Sequence, residues 1–221
     1  MLKVNHLFVS FTKEYYTLND ISFEMQSGER MVIVGNKESG RTAMLRTLVG
    51  LETIAKGEVL YKNISIEKVD FENDISLGYL PDTPSFLDNK SVKQNLEYVL
   101  KIRKNDTVFM NAKVSNALIG YGLDFIKNKK CKDLSVYEKI RVAIARLSVR
   151  NLDIIFVDDI FTRLSDDEKK RVIKMLKDLI KTNNATAIIM TESEDVAKQF
   201  GYQKKYLNYG SLSEEENHEY D

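Results

Sequence analysis

The sequence predicts an α/β fold with a largely parallel sheet, because short buried-strand runs alternate with stretches of helical periodicity and helix-capping signals. Met31–Val34, Asp153–Val157 and Thr186–Met190 are the strand runs, and the first two lead into helical segments, as crossovers between parallel strands require. At 221 residues, with 43% hydrophobic, 30% charged, 10 Gly and 2 Pro, the chain suits one large domain or a core with a subdomain, and excludes disordered or collagen-like classes.

Leu18–Met25 sets Ile21, Phe23 and Met25 against Ser22 and Glu24, the alternation of a half-buried antiparallel strand. The central-strand candidate Met31–Val34 runs through Gly35-Asn36-Lys37-Glu38-Ser39-Gly40-Arg41-Thr42 into a helix over Ala43–Leu51, with Leu45, Leu48 and Val49 on one face. Between Ser91 and Lys129 the chain is polar and helical, with Val92, Leu96, Val99 and Leu100 spaced for one buried side. Ser135-Val136-Tyr137-Glu138 is a capping box that starts a helix continued by Ile140, Ala143, Ile144 and Leu147. Ser165-Asp166-Asp167-Glu168 is a second box, heading a helix with Val172, Met175, Leu176 and Leu179 inward. The acidic end, residues 213–221, lacks apolar anchors and is expected to fray.

Composition narrows function. Lys+Arg and Asp+Glu are each 33, so no bulk basic field calls for nucleic acid or anionic lipid, and the lysine run Lys127–Lys132 reads as a solvated loop. A single cysteine, Cys131, excludes an internal disulfide and fits a reducing compartment. Its neighbours Lys130 and Lys132 raise the alternative of an activated thiol, since adjacent cations favour thiolate. His6 and His218 stand far apart with no second cysteine, so no zinc site is expected. The apolar runs fall well short of the ~20 residues of a spanning helix. The start, Met1 to His6, lacks a secretory pattern, and a cytoplasmic location is expected.

A glycine-bracketed loop between a buried strand and a helix aims backbone N–H groups and a helix dipole at one point, which suits phosphate. Residues 35–42 meet the G-x-x-x-x-G-K-[ST] phosphate-loop pattern everywhere except at Arg41, where lysine is usual, and Thr42 keeps the hydroxyl that serves magnesium.

From roughly Leu2 to Leu212 the order of motifs resembles the nucleotide-binding subunit of ABC transporters. Leu18-Asn19-Asp20-Ile21-Ser22-Phe23 and Ser27-Gly28-Glu29 resemble that family's approach to its phosphate loop, and Gly57-Glu58-Val59 the strand after it. Gly78-Tyr79-Leu80-Pro81-Asp82 resembles the Q-loop, and Leu134-Ser135-Val136-Tyr137-Glu138 the signature that leads into Arg141-Val142-Ala143-Ile144-Ala145-Arg146. Ile154–Asp159 resembles Walker B, Leu164-Ser165 the end of the D-loop, and Thr191-Glu192 the switch position. The resemblance implies a P-loop NTPase core of ABC type spanning residues 1–221, with an N-terminal antiparallel β subdomain and a helical signature subdomain over about 84–146. It implies ATP and Mg²⁺ as ligands, a dimer with a copy or another ABC subunit, an integral membrane permease as partner, and a place at the cytoplasmic face of the membrane. Carried over by position, Phe11 stacks on adenine, with Tyr15 or Tyr16 as alternatives. Gly35, Asn36, Lys37, Glu38, Ser39, Gly40, Arg41, Thr42 and Ala43 hold the phosphates. Thr42, Asp82 and Asp158 serve magnesium, and Asp159 and Glu192 fall at catalytic positions. Phe86, Leu87 and Tyr98 fall where the family docks its permease, core packing being the other reading of Tyr98.

Nearly every catalytic position departs from the family. Arg41 brings a planar fork in place of a compact ammonium. Asp159 is one methylene shorter than the usual glutamate, and a misplacement of about 1 Å costs on the order of 100-fold in rate. Asp82 and Glu192 replace a glutamine and a histidine; at about 4 Å and an effective dielectric near 20 each would repel a phosphate charge by about 4 kcal/mol. Glu192 is therefore expected to pair with Arg41 and partly fill the phosphate site. Val136, Tyr137 and Glu138 replace two glycines and a glutamine in the signature, while Ser135 remains. The expectation is an ATP-binding subunit with weak or lost hydrolysis. An active transport ATPase and a nucleotide-free ABC-fold scaffold are the alternatives, and the retention of Gly35, Gly40 and Thr42 is taken to count against the scaffold, since a loop freed from phosphate has little need of both glycines.

Overall fold

The structure, a computed structural model, describes residues 1–10, 15–71, 73–102 and 107–215. The chain runs β1 (Leu2–Val9), β2 (Leu18–Met25), β3 (Arg30–Val34), α1 (Arg41–Leu48), β4 (Lys56–Tyr61), β5 (Ile64–Ser65) and β6 (Leu77–Leu80). It continues through α2 (Val92–Ile102), α3 (Thr107–Gly120), α4 (Val136–Ser148), β7 (Ile154–Asp158), α5 (Asp166–Asn183), β8 (Thr186–Thr191), α6 (Glu194–Phe200), β9 (Gln203–Asn208) and β10 (Ser211–Ser213). Two compact units result, one from the described residues of Met1–Pro81, Leu152–Asp159 and Ile180–Asp221, the other from those of Asp82–Asn151 and Ile160–Leu179.

The first unit holds two sheets. One is antiparallel in the order β2-β1-β4-β5; the other runs β10-β9-β3-β8-β7-β6, parallel except where β10 turns back on β9. Strand alternation explains how they share a core: Leu2, Val4, Ile21 and Met25 of the first meet Met31, Ile33, Phe156 and Ile188 of the second around Met44, Leu45 and Leu48 of α1. Met31–Val34 of β3, Ile154–Val157 of β7 and Ala187–Met190 of β8 are buried apolar runs on interior strands of the parallel sheet, which is why they read as continuous rather than alternating.

Helix α1 ends earlier than the expected Ala43–Leu51. Gly50 takes φ 76° just after it, Leu51 N–H donates back to the Arg46 carbonyl, and Leu51 is exposed, so a left-handed glycine stops the helix one turn short. The acidic end also differs from the frayed tail expected: Ser213 closes β10 opposite Tyr206, and Glu214 pairs with Lys205 at 3.3 Å. The remainder of that tail, residues 216–221, lies outside the described residues.

The second unit is helical. Val92, Leu96 and Leu100 of α2, Val114 and Leu118 of α3, and Val142 and Ala145 of α4 close one core with Cys131 and Leu134. Asn95, buried on α2, accepts the Leu87 N–H and donates to the carbonyl of Ser91 and the sulfur of Cys131, tying the loop before α2 to the loop before α4.

Ile188 is fully buried at the centre of the parallel sheet, so Ile188→Ala should lower the unfolding free energy by about 2–5 kcal/mol, whereas Ile119→Ala on the exposed side of α3 should change it by less than about 0.5 kcal/mol. Urea denaturation of the two variants checks the difference.

Candidate functional site

The loop of residues 35–40 is shaped by its own polar groups. Asn36 Oδ1 accepts the Glu38 N–H at 3.0 Å, the Asn36 carbonyl accepts the buried Ser39 hydroxyl at 2.9 Å, and the Gly35 N–H donates to the Thr191 carbonyl at 3.1 Å. From below, the β9–β10 turn donates the Gly210 N–H to the Ser39 carbonyl at 3.0 Å. The two loop glycines are required by this packing. A Cβ on Gly35 would stand 2.5 Å from Ser39 Oγ and 2.6 Å from the Leu207 carbonyl; Gly40 takes φ 97° and a Cβ there would stand 3.0 Å from the Thr17 carbonyl. Their retention therefore does not depend on a phosphate, which removes the glycine part of the expected argument against a nucleotide-free scaffold and leaves Thr42.

Helix α1 begins directly at Arg41 with no side-chain cap and no acidic residue in its first turn, so its positive end carries uncompensated N–H groups. Thr42 is exposed in that turn, and Ala43 is buried behind it. Asn36, Lys37 and Glu38 are exposed. Asp158, buried at the end of β7, and Thr191, buried at the end of β8, lie at the carboxyl ends of the strands, where open α/β sheets place their ligand sites.

Arg41 is the centre of charge. Its Nη1 donates to Asp159 Oδ2 at 2.6 Å, with side chains only 7% and 8% exposed, and its Nη2 lies 3.8 Å from Glu192 Oε2. The expected Arg41–Glu192 pair is present, but it is the looser of the two. The tighter partner, Asp159, was not legible as such: side chains 118 positions apart meet only because β3 and β7 end on the same edge with β8 between them. Asp159 is itself held, with Oδ2 accepting the Glu192 N–H at 3.3 Å and its own N–H donating to the Met190 carbonyl at 3.0 Å.

The aromatic position splits. Phe11 lies outside the described residues. Tyr15 and Tyr16 are both exposed, and Tyr16 packs edge-on against Phe8 at 5.1 Å with Lys56 above both rings. The segment that follows is next to the loop, since the Asn19 N–H donates to the Gly210 carbonyl at 2.8 Å.

In the helical unit, Ser135 caps α4 as expected: its Oγ accepts the Glu138 N–H at 3.2 Å and Glu138 Oε2 accepts the Ser135 N–H at 2.8 Å. Desolvation works to raise the Glu138 carboxyl, but the Ser135 N–H and Lys129, 3.1 Å away, hold it below the ordinary carboxylate range. Val136 is exposed and Tyr137 lies under the Arg141 guanidinium at 5.3 Å. The second box also forms, the Ser165 N–H reaching Glu168 at 2.9 Å. Asp82 Oδ1 accepts the Thr83 N–H. Leu87 and Tyr98 are exposed, so core packing does not account for Tyr98, while Phe86 lies half-buried beneath Arg146. The activated-thiol reading of Cys131 fails: the side chain is fully buried and burial pushes its thiol up to about 11. Among the described residues no three His, Cys, Asp or Glu side chains gather into a metal-holding group, and no helix is long and apolar enough to cross a membrane.

A glycine-bracketed loop after an interior parallel strand, an acid closing the strand two places away, an antiparallel sheet sharing the same core and a helical unit in which a serine caps α4 together define an ATP-binding-cassette fold. Solved structures agree. An ATP-binding cassette captured as a dimer in a post-hydrolysis state with ADP and Pi superposes with a TM-score of 0.83 at 23% identity, covering 95% of each chain. CbiO1 of Clostridium perfringens, part of the ABC transporter complex CbiONQ, gives 0.83 at 23% identity over 96% of this chain and 88% of its own. The family model described as ABC transporter matches residues 18–162, and the chain belongs to the ABC transporter family. Relatives by sequence include the molybdate/tungstate import ATP-binding protein WtpC of Pyrococcus horikoshii, 30% identical over 91% of this chain and 57% of its own length. The methionine import ATP-binding protein MetN of Clostridioides difficile is 28% identical over 89% of this chain and 63% of its own length. The chain thus spans little more than half the length of these relatives.

Gly35→Ala should lower the urea midpoint in the absence of any nucleotide, because the clash is internal to the fold. For Glu138 the depressed carboxyl contributes stability above its unfolded value, and that contribution is lost as pH falls through the acidic range toward the folded value. Ser135→Ala should cost about 1 kcal/mol at neutral pH, and Glu138→Gln should flatten the acid limb of a stability–pH profile.

Proposed function

We propose that this chain is the ATP-binding subunit of an ABC transporter-like complex, one nucleotide-binding domain with two units, in which nucleotide is bound weakly and hydrolysed slowly or not at all. The observation that carries the reading is the uncapped, acid-free N-terminus of α1 beside a basic side chain whose neighbours are themselves carboxylates. A phosphate fits the first part of this arrangement through backbone N–H groups, the helix dipole and Arg41. The second part works against it, since Asp159 and Glu192 bring like charge to the same place. Thr42 and Asp158 are the residues that would hold Mg²⁺, whose charge would offset part of that repulsion when it is bound. Hydrolysis is disfavoured on a separate ground: the Asp159 carboxylate, which would have to orient or deprotonate water, is engaged by Arg41 and the Glu192 N–H.

The roles of these relatives as import ATP-binding proteins support a partnership with an integral membrane permease at the cytoplasmic face, and the solved cassette dimer supports pairing with a copy or with another ABC subunit. Exposed Leu87 and Tyr98 on the helical unit suit the permease contact. A nucleotide-free scaffold is the second reading, favoured by loop glycines that the packing itself requires.

Calorimetric titration of the purified chain with ATP should give saturable binding in the millimolar range that strengthens with Mg²⁺, while phosphate release stays at background. Absence of heat through millimolar ATP, with and without Mg²⁺, would move the assignment to the scaffold.

A further inference from the structure

We infer that Asp159 is an internal competitor for phosphate at Arg41, holding the loop in a low-affinity state. The inference rests on the reading of the chain as an ATP-binding subunit and adds the reason its affinity is low. The contact has the features of a bound oxyanion. Asp159 Oδ2 takes a guanidinium N–H at 2.6 Å and a backbone N–H from Glu192 at 3.3 Å, and Asp159 Oδ1 lies 3.5 Å from the Thr191 hydroxyl. A phosphate oxygen reaching Arg41 would displace that carboxylate.

The backbone fixes the competitor in place. Asp159 has φ 27°, a left-handed conformation that a residue other than glycine keeps only where its surroundings hold it. Its N–H on the Met190 carbonyl and its side chain on Arg41 and Glu192 N–H supply the hold. Glu192 is different in kind: its carboxylate is 45% exposed and its nearest approach to Arg41, 3.8 Å, is too long for a hydrogen bond. Asp159 therefore acts as a lock and Glu192 as a screened charge nearby. When only the unlocked fraction of molecules can accept phosphate, the apparent dissociation constant rises in inverse proportion to that fraction.

The test uses the full chain and Mg²⁺–ADP, which presents a β-phosphate and is not hydrolysed, in parallel with urea unfolding of the nucleotide-free protein. Asp159→Asn should bind at least about tenfold more tightly than the wild type, as expected when a charge-assisted hydrogen bond no longer has to be broken. Its nucleotide-free urea midpoint should fall, because a buried guanidinium loses its counter-charge. Glu192→Gln should change both quantities much less. Equal tightening in the two variants with raised midpoints would mean ordinary charge repulsion and overturn the lock. A wild type that binds Mg²⁺–ATP while Asp159→Asn gains nothing overturns the lock alone. Silence of both proteins toward both nucleotides overturns the lock and the ATP-binding reading together. Should Asp159→Asn fail to fold, Asp159→Ser is read by the same criteria.

Discussion

A guanidinium taken out of water at the first turn of a helix is the constraint around which the core unit is arranged. Burial of a charge is tolerated only with a partner in hydrogen-bond contact, and for Arg41 that partner comes from the strand end two places across the sheet. The pairing in turn demands that β3 and β7 end at the same level. Register delivers this, with Val34 opposite Thr191 and Asp158 opposite Met190. A single-residue slip of β8 would turn its side chains to the opposite face and separate the two charges.

The same principle governs the helical unit. Glu138 stands where the family resemblance places an uncharged signature residue, and its carboxylate turns back onto the Ser135 N–H and Lys129. Asp159 likewise turns onto Arg41. In both units an acid stands at a position associated with ligand and is satisfied inside its own chain. Such internal satisfaction keeps the local structure intact: the capping box starts α4, and the loop before α1 keeps its turn.

Local signals made much of this legible from sequence. Both serine boxes could be read because capping depends on residues three apart, and the interior strands because apolar runs such as Ile154–Val157 have few other destinations. The glycine-bracketed loop was legible for the same reason, though its glycines carry two meanings that sequence cannot separate: Gly35 makes room for Ser39 and Leu207, a purpose independent of any ligand. What sequence reading missed is long-range. Ranking Asp159 above Glu192 as the partner of Arg41 requires knowing which strand ends meet, and the support given to Ser39 by the Tyr209-Gly210 turn depends on where the chain returns after α6. The early stop of α1 was readable in principle, since Gly50 follows the last buried residue of the helix.

Burial also decides between chemical and structural roles where residue type does not. Cys131 between two lysines has the neighbours of a reactive thiol, yet its sulfur points into the helical core, accepts from Asn95 and resists ionisation. Asp159 has the neighbours of a general base, yet a base must present its carboxylate to water and this one faces a buried cation. Conversely, Thr42 is exposed in a turn that has no acidic residue to compete for it. Thr42 at the start of α1 is thus open to solvent, while the carboxylate of Asp159 is closed onto Arg41. A phosphate there would be held first by backbone N–H groups of the loop and of α1, whereas turnover would need a carboxylate free to meet water.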